Sequence, residues 1–212
     1  MEAATERRGI GGIVPAVFER HATARMRVRG LMTGRKGAKR PLAGQYTGWM
    51  ATRHEPEAAA SELLDDCWDG TLPVDPVRVA KSLGVKVLDA PLSEDLSGAL
   101  VKKQGADPSI LLNATDSRNR KRFTCAHEIG HLILRTNEPE QYEYVDYRDQ
   151  RSSTGTVEEE RFANSFAANL LMPDFVVKAL HSQGLPDFRM AKKFGVSQEA
   201  MHNRLANLGL SS

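Results

Sequence analysis

The stretch His127-Glu128-Ile129-Gly130-His131 places two histidines four residues apart, with a glutamate directly after the first. On a helix, positions i and i+4 differ by only about 40°, so both imidazoles stand on one face, a turn apart. Two neutral imidazoles so placed form a ligand pair for Zn²⁺. Glu128 then projects beside the metal, where it can take a proton from the water that the metal acidifies and return it to a leaving amine. The bland alternative is a surface helix with an incidental His-Glu pair. Against it, Phe123, Cys125 and Ala126 before the motif and Leu132, Ile133 and Leu134 after it are apolar. Three polar groups on a buried helix need partners, and a metal supplies them.

A catalytic zinc takes three protein ligands and keeps a fourth position open for water. No histidine follows at the spacing of a metzincin, since the position six residues after His131 is Asn137. The candidates are then Glu158, Glu159 and Glu160, ahead of the apolar stripe Ala163, Phe166, Ala167, Leu170 and Leu171. Glu159 and Glu160 flank that stripe, roughly 50° to either side, while Glu158 points away. Periodicity narrows three acids to two. Acids are also common in a first helical turn for their effect on the helix dipole, which accounts for the others without any metal.

These groups require particular elements to hold them. Asp116 or Ser117 caps a long helix running to Leu134, and a second helix runs from about Thr156 to Met172, stopped by Pro173. Upstream, Ala58–Trp68 reads as a helix, and Asp75-Pro76 opens a short one ended by Gly84. A strand around Val85 and Val87 follows, then a hairpin of Gly98–Lys102 with Ser109–Asn113 across a turn-rich link. The polar, acidic stretch Glu138–Gly155 reads as a surface loop, and its Tyr142, Tyr144 and Tyr147 as plain loop residues rather than oxyanion stabilisers. From Pro186 onward the pattern is a helix, a glycine turn at Gly195 and a second helix capped by Ser197, with Met201, Leu205 and Leu208 inside.

Arg122-Phe123-Thr124-Cys125-Ala126-His127-Glu128-Ile129-Gly130-His131, followed by Glu160-Arg161-Phe162-Ala163-Asn164-Ser165-Phe166-Ala167-Ala168-Asn169-Leu170-Leu171-Met172-Pro173, resembles the ImmA/IrrE family of bacterial and phage metallopeptidases. The resemblance spans roughly Glu57 to the C-terminus. It implies an α+β, zincin-like metallopeptidase core, its active-site helices packed on a small β-sheet, with a C-terminal helix-turn-helix-like module. It makes Glu160 the third zinc ligand beside His127 and His131, one Zn²⁺ per chain, with Glu128 as the catalytic acid and base. The implied substrate is a helix-turn-helix repressor encoded nearby, in a phage, mobile element or stress operon, whose cleavage relieves repression. Cys125 departs from the family, which has an aliphatic residue there more often.

Asn164 follows Glu160 at i+4 and shares its face, where its amide can accept from the ring N–H of a ligand histidine and fix the tautomer. Packing between helices is the competing role for that amide. Cys125 lies some 200° around the helix from His127 and reads as a small buried apolar residue, not a ligand. His21, His54, His181 and His202 have no partner at metal spacing. The stretch Ile110-Leu111-Leu112-Asn113, leading into the long helix, is a candidate edge strand for an extended substrate.

The whole chain has 212 residues, with 41% apolar and 26% charged, which argues for a folded core and against wholesale disorder. Residues 1–55 carry 11 Lys+Arg against 4 Asp+Glu and 8 of the 17 glycines, and read as a basic flexible arm rather than part of a core. Met26, Met32 and Met50 are alternative starts, so the arm need not be native. It divides from a metallopeptidase domain over residues 56–185 and the helical module over residues 186–212. The short apolar stretch Ile10–Phe18, broken by Gly and Pro, does not read as a signal peptide, and no apolar run approaches a membrane span. With two cysteines far apart, the expectation is a cytoplasmic protein. Gln198, Glu199, His202 and Asn203 head the last helix as a DNA-reading element would, but cations for phosphate are few there and docking to a partner is preferred. The reading is a zinc metalloendopeptidase. Its rivals are a DNA-binding transcriptional regulator and a toxin–antitoxin-type interaction protein with a structural or sensory metal.

Overall fold

Capping residues fix where the elements begin. Pro56 occupies the first turn of α1 (Pro56–Cys67), which buries Ala59, Ala60, Leu63 and Leu64. The Asp75 carboxylate accepts from the backbone N–H groups of Val77 and Arg78 at 3.0 and 3.4 Å, opening α2 (Pro76–Ser82). The computed structural model describes residues 55–103, 105–135, 144–149 and 156–210, with the backbone alone over 144–149. These residues belong to one unit, Pro41–Ser212. The basic arm, Tyr142, Asn137, His21 and His54 lie outside the described residues.

The sheet has four strands in the order β1-β3-β2-β4, comprising β1 (Lys86–Ala90), β2 (Leu96–Lys102), β3 (Ser109–Asn113) and β4 (Tyr144–Asp149). β2 and β3 form the antiparallel hairpin read from the sequence, pairing Val101 with Ser109 and Leu100 with Ile110. Two expectations change. Ile110–Asn113 is not an edge, because β1 lies parallel to β3 on its other side, pairing Val87 with Ile110. The stretch 144–149, expected as loop, pairs antiparallel with β2. Among the described residues β4 is the last strand of the sheet, and a strand paired on one side needs no apolar alternation, so its polar composition concealed it.

Ser117 caps α3 (Arg118–Leu134), its hydroxyl accepting from Arg120 N at 3.4 Å. α3 lies on the sheet, where Arg120 Nε donates to the buried Ser97 Oγ of β2 at 2.8 Å. Gly98 is required at that contact, because a Cβ there would meet Thr124 Cγ2 and stand 2.8 Å from Leu111 O. The remaining helices are α4 (Val157–Leu171), α5 (Asp174–Ser182), α6 (Asp187–Phe194) and α7 (Gln198–Asn207). Seven helices and a small sheet, among the described residues, make a mixed α+β fold.

Two arginines fasten the last helix pair to the others. Arg122 of α3 donates to Val74 O at 2.7 Å and to Gly195 O and Phe194 O at 3.1 and 3.3 Å, completing the carbonyl end of α6. Arg204 of α7, itself buried, donates to Met172 O at 3.1 Å and Asn169 Oδ1 at 2.6 Å, completing the end of α4. Phe166, Leu170, Met190, Phe194 and Met201 are fully buried. No helix among the described residues is long and apolar enough to cross a membrane.

Candidate metal centre

Two helices, α3 and α4, carry the polar groups, and their ends determine which side chains face each other. α4 opens with a capping box: Glu159 N donates to Thr156 Oγ1 at 3.2 Å, and Thr156 N donates to Glu159 Oε2 at 2.7 Å. Glu159 is thereby turned back onto its own helix terminus. Glu158 is exposed. Glu160, the next residue around the helix, presents its carboxylate to α3.

His131 Nε2 lies 2.9 Å from His127 Nε2 and 3.2 Å from Glu160 Oε1, and His127 Nε2 lies 3.5 Å from Glu160 Oε2. One ligand atom from each residue falls within 4.8 Å of the other two. Three tetrahedral ligands at zinc bond lengths stand about 3.3 Å apart. The 2.9 Å between the imidazole nitrogens, and the 3.2 and 3.5 Å from them to the two oxygens of the Glu160 carboxylate, lie near that value, so the three side chains could hold a divalent ion of about zinc's size. Two imidazoles and a carboxylate, with no thiolate, are donors that suit a divalent ion such as zinc. His127 and His131 are 1% and 4% exposed, and the Glu160 side chain 27%, so the centre opens to solvent on the carboxylate side.

Asn164, one turn beyond Glu160, places Oδ1 3.1 Å from His127 Nδ1. With Nδ1–H donating to that oxygen, the Nε2 lone pair is left to face the centre. Glu128 is 1% exposed and follows His127 directly. The imidazoles themselves cross at 70° with centroids 4.7 Å apart.

Cys125 is fully buried, and burial first, with Asp75 and Glu128 adding to it, pushes its thiol up to about 12. It is a neutral, apolar-packed group with no part in the cluster. His181 and His202 lie apart from the cluster as well.

Two features of the centre were not read from the sequence. Gly130 lies where α3 meets α4: a Cβ there would stand 2.9 Å from Ala163 Cα. Nothing local in the sequence announces that contact. The capping box, in contrast, stands in the sequence as Thr156-Val157-Glu158-Glu159, the T-x-x-E signature. It assigns Glu159 to the helix end and leaves Glu160 for the site on physical grounds.

On a mixed α+β frame, the helix that carries the HExxH residues thus faces a glutamate from a downstream helix. Residues 80–206 match the M78 peptidase family, described as the IrrE N-terminal-like domain, and the chain belongs to that family. A relative is the protein named uncharacterized immunity region protein 2 of Bacillus phage phi105, 27% identical over 129 residues, which cover 60% of this chain and 77% of that one. The family match begins within α2 and leaves α1 outside, a shorter span than the resemblance implied.

Proposed function

We propose that the protein is a zinc-dependent endopeptidase with a zincin-like centre held by His127, His131 and Glu160. The observation that supports this reading is the convergence of two imidazole nitrogens of α3 and a carboxylate of α4 at 2.9 to 3.5 Å, with the buried Glu128 on α3 directly after His127. When bound, zinc supplies Lewis acidity, lowering the pKa of water and polarising a peptide carbonyl. Glu128 accepts the proton from the attacking water and delivers it to the leaving amine. Asn164 holds the Nδ1 proton of His127, so that the ring offers Nε2 to the metal in a fixed orientation.

The substrate we assign is a helix-turn-helix repressor encoded nearby, whose cleavage relieves repression. Family membership and a relative named for a phage immunity region favour such a regulatory target. The α6–α7 pair, residues 186–212 with its tail, serves as a helix-turn-helix-like docking module. Two free thiols, both held protonated by burial, suit a reducing interior, and we place the protein in the cytoplasm.

The test is to incubate the zinc-loaded protein with the product of the adjacent regulatory gene. Wild type cleaves it, while Glu128→Gln retains one zinc and leaves the repressor intact. Equal cleavage by both removes the peptidase assignment. A DNA-binding regulator is the second reading, favoured by the exposure of Gln198, Glu199, His202 and Asn203 at the start of α7. A gel shift on the protein's own promoter that survives Glu128→Gln but is lost on substituting Gln198 and Asn203 by alanine would select it.

A further inference from the structure

We infer that Gly130 is a positioning residue for the metal centre, allowing the two ligand-bearing helices to meet backbone to backbone so that Glu160 reaches the histidines. The inference rests on the proposed metal site and deepens it. An alanine Cβ at position 130 would stand 2.9 Å from Ala163 Cα, 3.3 Å from Ala163 Cβ and 3.3 Å from Phe166 Cδ1. The closest of these atoms is main chain and cannot rotate aside. Phe166 is fully buried and stacked on Phe162, with ring centroids 6.3 Å apart and planes within 10°, so any shift of its ring disturbs the packing around it. The contact is relieved only by moving α4 away from α3.

The size of that movement decides the matter. Ordinary van der Waals contact begins at 3.4 Å, so α4 must withdraw by about half an ångström at Ala163. Metal–ligand distances hold to about ±0.2 Å. Ala163 is three residues after Glu160 on the same rigid helix, so the displacement carries the carboxylate with it. His127 and His131 both belong to α3 and keep their mutual geometry. Gly130→Ala should therefore strain and weaken the Glu160 ligand while leaving the histidine pair intact.

The experiment is a double-mutant cycle on the full chain, reading zinc affinity by chelator competition for wild type, Gly130→Ala, Glu160→Ala and the double variant. Gly130→Ala should weaken affinity by about 10-fold or more. The double variant should bind within about 3-fold of Glu160→Ala alone, because Gly130 acts through a ligand already removed. In the Co²⁺-loaded proteins, the intense visible band of a four-coordinate site should fade in Gly130→Ala as it does in Glu160→Ala. Gly130→Ala affinity close to wild type, or losses that multiply in the double variant, overturns the inference. If Gly130→Ala does not fold, Ala163→Ser widens the same crossing from α4 and enters the same cycle with the same criteria. If Glu160→Ala leaves wild-type affinity unchanged, the three-ligand site itself fails, and this inference with it.

Discussion

Replacing Asn164 should tune metal affinity in opposite directions according to the charge of the substitute. Its Oδ1 stands 3.1 Å from His127 Nδ1, a neutral hydrogen bond worth about 0.5–1.5 kcal/mol net. Asn164 is otherwise exposed, so in Asn164→Ala a water can take over as acceptor and the cost stays near the low end of the roughly 10–100-fold seen for such supporting residues. The expectation is a loss of about 10-fold in zinc affinity, close to 1.4 kcal/mol. Asn164→Asp instead offers an anionic acceptor, and hydrogen bonds to ionised groups are roughly twice as strong as neutral ones. The imidazole becomes a more basic ligand, and affinity should rise above wild type. The assay is competition with a chromophoric chelator at fixed pH and ionic strength, with melting of the metal-free proteins as the check on folding. Affinity that falls equally in both variants, or moves in neither, would refute the assignment of Asn164 to the His127 tautomer.

Thr156→Ala and Glu159→Ala should each lower stability by about 1 kcal/mol, read from urea titration, without changing zinc stoichiometry, because both act at the helix cap; loss of zinc from either would contradict the division of labour between Glu159 and Glu160. Gly98→Ala should cost about 1–3 kcal/mol through its collision with Thr124 and Leu111 O, measured by thermal melting. Cys125 should resist alkylation at pH 8 in the folded protein and react on denaturation. Its folded thiol titrates at about 12 against an ordinary 9.0, so its contribution to stability is complete below pH 9 and lost as pH rises from 9 towards 12. Rapid labelling of native Cys125 would show that the thiol is not buried.

The features readable from sequence are those set by neighbours along the chain. The Ser117 and Thr156 caps and the stop at Pro173 place α3 and α4 within a residue or so of their observed ends, and i,i+4 spacing puts both histidines on one face. α5 offers less, since Pro173 precedes it with no capping side chain. What the sequence hides is non-local. The parallel pairing of β1 with β3 moves Ile110–Asn113 into the sheet interior, and β2 recruits the polar strand β4 as its outer neighbour. Gly130 looks like a spacer inside a motif until Ala163 is placed against it. Arg122 and Arg204 look like surface charges until their carbonyl partners arrive from elements tens of residues away.

The central claim is that His127, His131 and Glu160 together hold one divalent ion. X-ray absorption at the zinc edge of the loaded protein tests it most directly. One zinc per chain, with two imidazole shells and oxygen but no sulfur in the remaining shell, and the loss of a light-atom protein ligand in Glu160→Ala, is the predicted result. A sulfur ligand, or a spectrum unchanged by Glu160→Ala, would contradict the account.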